Sequence, residues 1–141
     1  MLEMLASLNP NAETKPFWDW CAKRELRFQR CVACGTFRFP PLTGCRHCAA
    51  TEAEWVRVSV RARVFSYTIV ANPALPDLRH DVPYNVVVVE FDDAPGARLV
   101  SNVVGIAPED VRVGMELDLV FEEPAPGVVL PRFRPARLGG A

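Results

Sequence analysis

Four cysteines in two C-x-x-C pairs, Cys31 with Cys34 and Cys45 with Cys48, constrain this chain more than any other feature. A C-x-x-C turn sets two thiolates on one small loop whose backbone amides can hydrogen-bond to the sulfurs. Two such loops complete the tetrahedral shell that suits Zn²⁺. Ten residues separate the pairs, and Gly35 stands where the first loop needs a left-handed backbone. In a secreted protein five cysteines would suggest disulfides with one left over. No basic stretch followed by an apolar one opens the chain, however, and no run of about 18 apolar residues interrupts it. The expectation is therefore metal binding in a reduced, cytoplasmic setting without a membrane span. Four thiolates leave no open position for a substrate, so the zinc, one per chain, is expected to be structural. His47, between two ligands, is read as exposed, and Cys21 as a small buried hydrophobe.

Around this module the pattern is that of a β protein. Thirteen prolines against eight glycines favour short strands and turns over long helices. Thr14 can cap a short helix with Pro16 in its first turn, because Phe17, Trp20, Cys21 and Arg24 fall on one helical face. Leu26 to Gln29 reads as a ribbon strand leading into the first cysteine pair. From Trp55 the period becomes two, with Val56, Val58, Val60 and Val64 opposite Arg57, Ser59, Arg61 and Arg63, which predicts one long half-buried strand extending to Val70. A proline-rich loop from Asn72 to Pro83 follows. Further strands are expected at Tyr84 to Phe91, Arg98 to Val104, Met115 to Phe121 and Val128 to Arg134, with a helical turn at Pro108 to Asp110. Five strands interrupted before the fourth fit a small Greek-key barrel of OB type. The expected organisation is a flexible N-terminus at 1–13, helix and zinc ribbon at 14–50, an OB-fold barrel at 51–137 and a tail at 138–141.

Charge is unevenly spread. Residues 1–63 hold ten Lys or Arg against six Asp or Glu, and residues 64–141 hold six against eleven. Arg61, Arg63, Phe65 and Tyr67 could form the basic and aromatic stripe of an OB-fold that binds single-stranded nucleic acid, the alternative reading of the chain. The acidic C-terminal half and the charge of a tetrathiolate zinc, about −2, argue against it. His80, flanked by Asp77 and Asp81, is the one grouping with acid–base potential and supports a weaker third reading as a hydrolase. No catalytic residue is assigned, since no nucleophile elbow, P-loop or GxGxxG is present.

The string Cys31-x-x-Cys34-Gly35-Thr36-Phe37-Arg38-Phe39-Pro40-Pro41, followed by Cys45-x-x-Cys48, resembles a family catalogued as a domain of unknown function. Its members are rubredoxin-like zinc-ribbon plus OB-fold proteins of acyl-CoA metabolism. Phe17-Trp18, Phe65-Ser66-Tyr67-Thr68, Val82-Pro83-Tyr84 and the Pro-Arg-Phe-Arg-Pro run ending at Pro135 fit the same pattern, so the resemblance spans about residues 14–137. It implies an accessory subunit, non-catalytic by itself, of a hetero-oligomer with a thiolase-superfamily chain that makes or cleaves carbon–carbon bonds on an acyl-CoA thioester. Six basic residues and one acid lie between Lys23 and Arg46, beside Phe37 and Phe39, which are read as exposed. Guanidinium groups bind the phosphates of coenzyme A and aromatic rings can stack on its adenine. Arg38, Arg46 and Phe39 are accordingly the candidate CoA contacts.

Overall fold

The structure, a computed structural model, describes residues 10–137 apart from 74, 77 and 78. Most of the expected flexible segment, the expected tail and Asp77 of the His80 grouping lie outside the described residues. Helix α1 (Lys15–Ala22) carries Pro16 in its first turn and buries Phe17 and Cys21. Thr14 occupies the N-cap position, but its side chain makes no capping bond. Asn11 supplies one level earlier, its carboxamide oxygen accepting from the amides of Glu13 (3.0 Å) and Thr14 (2.8 Å).

The chain then builds a three-stranded antiparallel sheet from β1 (Arg27–Cys31), β2 (Phe37–Arg38) and β3 (Ala53–Arg57), in the order β2-β1-β3. β3 pairs along the whole of β1, from Arg27 opposite Arg57 to Cys31 opposite Ala53. The long strand expected from Trp55 is therefore two strands in two sheets. The break falls at Ser59 and Val60, where the valine alternation fails: Val58 is buried, whereas Val60 is 55% exposed. Asp93 accepts the Ser59 amide at 2.6 Å and helps to turn the chain there.

The second sheet has the order β6-β5-β4-β7-β8, formed by β4 (Arg61–Val70), β5 (Tyr84–Glu90), β6 (Arg98–Ser101), β7 (Glu116–Ala125) and β8 (Val128–Pro135). A 3₁₀ turn at Pro108–Asp110 precedes β7, where a helical turn was expected. The sheet curls because a bulge between Val64 and Ser66 sharpens the twist of β4. It closes through a parallel bridge between Val103 and Phe133, flanked by Val104 N–H to Phe133 O (2.7 Å) and Phe133 N–H to Asn102 O (3.1 Å). Buried Asn85 pins this seam, donating to the Val103 carbonyl (2.8 Å) and accepting its amide (2.7 Å). The result is the mainly β fold expected, a helix and four-cysteine ribbon in front of a curled five-stranded sheet. One core joins the parts, with Phe17, Leu26 and Phe28 of the helix and ribbon packed among Val64, Val87, Val89, Phe91, Leu117 and Phe133.

Candidate metal centre and its surroundings

The two cysteine loops are near copies of each other. In the first, Gly35 N–H donates to Cys31 O (2.9 Å) and Cys31 N–H to Thr36 O (2.9 Å). In the second, Ala49 N–H donates to Cys45 O (2.8 Å) and Cys45 N–H to Ala50 O (2.8 Å). Both loops turn through a left-handed residue, Gly35 at φ 79° and Ala49 at φ 65°. Sequence reasoning finds the first because it is glycine; alanine gives no such signal.

These loops bring the four sulfurs together, all within 4.8 Å of one another, with Cys31 to Cys48 and Cys34 to Cys45 each at 3.6 Å. Zinc at about 2.3 Å from each of four tetrahedral sulfurs would hold those sulfurs roughly 3.8 Å apart, so the residues fit the ion. The local electrostatics favour thiolates at three of the four cysteines. The Cys34 amide holds the Cys31 thiol below its ordinary value, Thr36 does the same for Cys34, and the Cys48 amide for Cys45. At Cys48 the Ala50 amide also favours the thiolate, but the Cys31 and Cys34 sulfurs outweigh it and push the thiol up to about 11. Four negative sulfurs at this spacing call for a cation between them. Thr36, whose Oγ1 lies 3.2 Å from Cys34 Sγ, is a supporting residue that the spacing of the cysteines could not reveal. Cys21 stands apart, fully buried in the core, and burial pushes its thiol up to about 12.

The candidate CoA contacts do not converge on one open surface. Phe37 is buried. Phe39 is half-buried, its ring 5.0 Å from Phe17 and 4.8 Å from Phe28, so neither aromatic is the free stacking platform expected. Arg38 is 1% exposed, with its guanidinium directed at the carbonyls of Ala50 and Thr51. Arg46 is exposed and reaches across to the barrel, donating to Gly96 O at 3.3 Å. His47 is exposed as expected, and His80 is exposed beside half-buried Asp81.

The stripe read as a nucleic-acid surface is largely neutralised. Arg63 forks onto Asp92 (3.0 and 2.6 Å) with Glu90 at 3.6 Å, and Arg61 faces Asp118 at 3.8 Å. Arg98 lies over the Phe65 ring at 3.7 Å, on the face a base would need. Beside this region a cleft of about 320 Å³ opens between helix, ribbon and barrel, walled by Trp18, Phe39, Val100 and Leu130 with Arg98 and Arg132 at its rim. Val100 is 64% exposed and Phe65 41%, unusual apolar exposure for the outer face of a small barrel.

Ribbon, closed cysteine shell and curled sheet define a zinc-ribbon protein with an appended OB-fold. Residues 18–54 match the model for the ChsH2 rubredoxin-like zinc ribbon domain, and residues 55–122 the model for the ChsH2 C-terminal OB-fold domain. The chain belongs to this family, which includes the DUF35 scaffold proteins. A "DUF35 domain-containing scaffold protein" of Methanothermobacter thermautotrophicus is 30% identical over 128 residues, covering 86% of this chain and 94% of that protein. A "probable enoyl-CoA hydratase alpha subunit" of Thermomonospora curvata is 41% identical over 121 residues. That stretch is 85% of this chain but only 37% of the relative, so the chain spans little more than a third of its length. Among solved structures, a chain of the "Ltp2-ChsH2(DUF35) aldolase" superposes with a TM-score of 0.81 at 36% identity, covering 91% of this chain and 98% of that one. No described helix is long and apolar enough to cross a membrane.

Proposed function

We propose that this chain is a non-catalytic subunit of a hetero-oligomeric acyl-CoA-processing enzyme. Its partner is a thiolase-superfamily chain that cleaves or forms a carbon–carbon bond on a CoA thioester, in the reduced setting of the cytoplasm. The observation that carries this reading is the near end-to-end similarity, at 36% identity, to the DUF35 chain of an aldolase. The apolar surface at Val100 and Phe65 supports it, since such surface on a small protein is ordinarily covered by another chain. Pairing of Arg61 and Arg63 with acids weighs against the nucleic-acid alternative, which needs free cations.

Co-expression with a thiolase-superfamily chain from the same gene neighbourhood tests the proposal. The two should co-purify, and cleavage of the CoA ester should need both. Full activity of the partner alone, or separate elution of the two chains, would overturn it. The CoA ester is proposed as ligand of the complex, with exposed Arg46 as its phosphate contact on this subunit. An Arg–phosphate contact contributes about 1.5–3 kcal/mol, so Arg46→Ala should raise KM for the CoA ester roughly tenfold with kcat little changed. A pantetheine thioester, which lacks the nucleotide, should be indifferent to the substitution.

A further inference from the structure

Arg38 poses a problem that the fold alone does not answer. It is the largest fully buried side chain, and no carboxylate among the described residues pairs with it. Its two contacts are neutral and long, 3.5 Å to Ala50 O and 3.4 Å to Thr51 O, and its Nε has no partner. A guanidinium withdrawn from water with so few bonds costs several kcal/mol unless a negative charge lies close by. The carbonyls it faces show where that charge resides. Ala50 O also accepts the Cys45 amide at 2.8 Å, so the carbonyl that Arg38 faces is part of the second cysteine loop's own hydrogen bonding. The arginine is thus linked through Ala50 O to the backbone of the second cysteine loop, and the four sulfurs as a zinc tetrathiolate would carry a charge of about −2.

We infer that Arg38 is a positioning residue of the metal centre. Its guanidinium is the buried cation that offsets the tetrathiolate charge, and it holds the Ala50–Thr51 segment against the second cysteine loop. The first loop has its counterpart bond, Cys31 N–H to Thr36 O, without an arginine, because β2 continues directly from Thr36 and pairs with β1. The chain leaving the second loop has no strand pairing until β3 begins at Ala53; Cys45 N–H holds it at Ala50 O and Val32 N–H at Glu52 O (3.1 Å), and Arg38 is the side chain that reaches the carbonyls of Ala50 and Thr51 between them. This assignment is independent of the proposed partner and stands or falls on the full chain alone.

Two readouts test it. Partners of metal ligands typically contribute ten- to hundredfold to metal retention. Zinc transfer from the full-length chain to a chromogenic chelator should therefore be about tenfold or more faster for Arg38→Met than for wild type. Arg38→Lys, which keeps the charge but cannot span both carbonyls, should fall between them. The second readout is the sulfur-to-metal charge-transfer band of the cobalt-substituted protein. Loss of the nearby cation raises electron density on the sulfurs, so the band should move to longer wavelength in Arg38→Met and return in Arg38→Lys. A residue that merely packs would leave the band in place. An unmoved band in Arg38→Met, or zinc release from Arg38→Lys as fast as from Arg38→Met, overturns the inference. Should the methionine chain not fold, Arg38→Gln, which removes the charge but keeps a hydrogen-bonding side chain, decides: a band moved to longer wavelength supports the assignment and an unmoved one refutes it.

Discussion

The two cysteine loops pose the same backbone demand and answer it with different residues. Gly35 and Ala49 both sit at positive φ, where a β-carbon crowds the neighbouring carbonyl and costs about 1 kcal/mol or more. At Gly35 an added β-carbon would meet nothing within 4 Å, so the cost of Gly35→Ala is conformational and not steric. That substitution should destabilise the zinc-loaded chain by about 1 kcal/mol. Ala49→Gly should stabilise it by roughly 0.5–1 kcal/mol, the relief of strain being partly offset by the freer unfolded chain. Urea unfolding midpoints with zinc present measure both. Equal and opposite shifts would confirm that the loops are mechanically equivalent, whereas a loss at Ala49→Gly would mean that its methyl group packs usefully. Residue by residue, the ligand set was legible because sulfur chemistry fixes both residue type and spacing. The burial of Phe37 and Arg38 was not legible, for a physical reason. Alternation along a strand separates an inward from an outward face, but β2 is covered on both, so the pair Phe37 and Arg38 is buried together.

At the scale of elements, most strand positions followed from alternation, whereas the two-residue strand β2, the break at Ser59 and Val60 and the partnership of the strands were hidden. Val56 and Val58 obey the same period as Ala62 and Val64, yet β3 pairs with β1 and β4 pairs with β5 and β7. A period of two states that a segment is extended and never which sheet receives it. The β4–β5 pairing carries a charged fork that makes a measurable prediction. Arg63 on β4 donates through two nitrogens to Asp92 just beyond β5, and this bond with its Coulomb attraction holds the Asp92 carboxyl below its ordinary value. A folded-state pKa that is depressed adds stability above the unfolded value, about 3.9, and loses it as pH falls through the folded one. Wild type should therefore be more stable than Arg63→Gln at pH 6, with the gap narrowing steadily below about pH 4. Both groups are exposed, so salt should also shrink the gap. Denaturant midpoints collected from pH 6 to pH 2 check this. A gap that stays constant with pH would place the effect of Arg63 in packing against its neighbours.

Taken whole, the molecule has two modules and one interior. A chain of aromatic contacts runs through it: Phe17 to Phe39 at 5.0 Å, Phe39 to Phe28 at 4.8 Å, Phe28 to Phe91 at 5.2 Å and Phe91 to Phe133 at 6.1 Å. Phe28 of the ribbon and Phe91 of the barrel are the link between the modules, 0% and 3% exposed. Zinc contributes on the order of 10 kcal/mol to the folding of small tetrahedral sites, more than a ribbon of this size can replace, so chelation should unfold the ribbon. That would strip Phe28 from Phe91, and losing a buried phenylalanine typically costs 3–5 kcal/mol, a large share of the stability of an ordinary domain. The barrel should therefore weaken when the metal is removed, although it holds none of the ligands. Natural probes separate the modules, because Trp18, Trp20 and Trp55 all lie in the helix and ribbon, whereas Tyr67 and Tyr84 both lie in the barrel. With zinc bound, tryptophan and tyrosine signals should change together in one thermal transition. After chelation the tryptophan signal should be lost at low temperature, and the tyrosine transition should fall well below its zinc-loaded midpoint. A tyrosine midpoint unmoved by chelation would show the barrel to be self-sufficient and the aromatic link energetically idle. Phe28→Ala provides the complementary experiment: with zinc retained in the cysteine shell, the two signals should separate into two transitions, the barrel unfolding first.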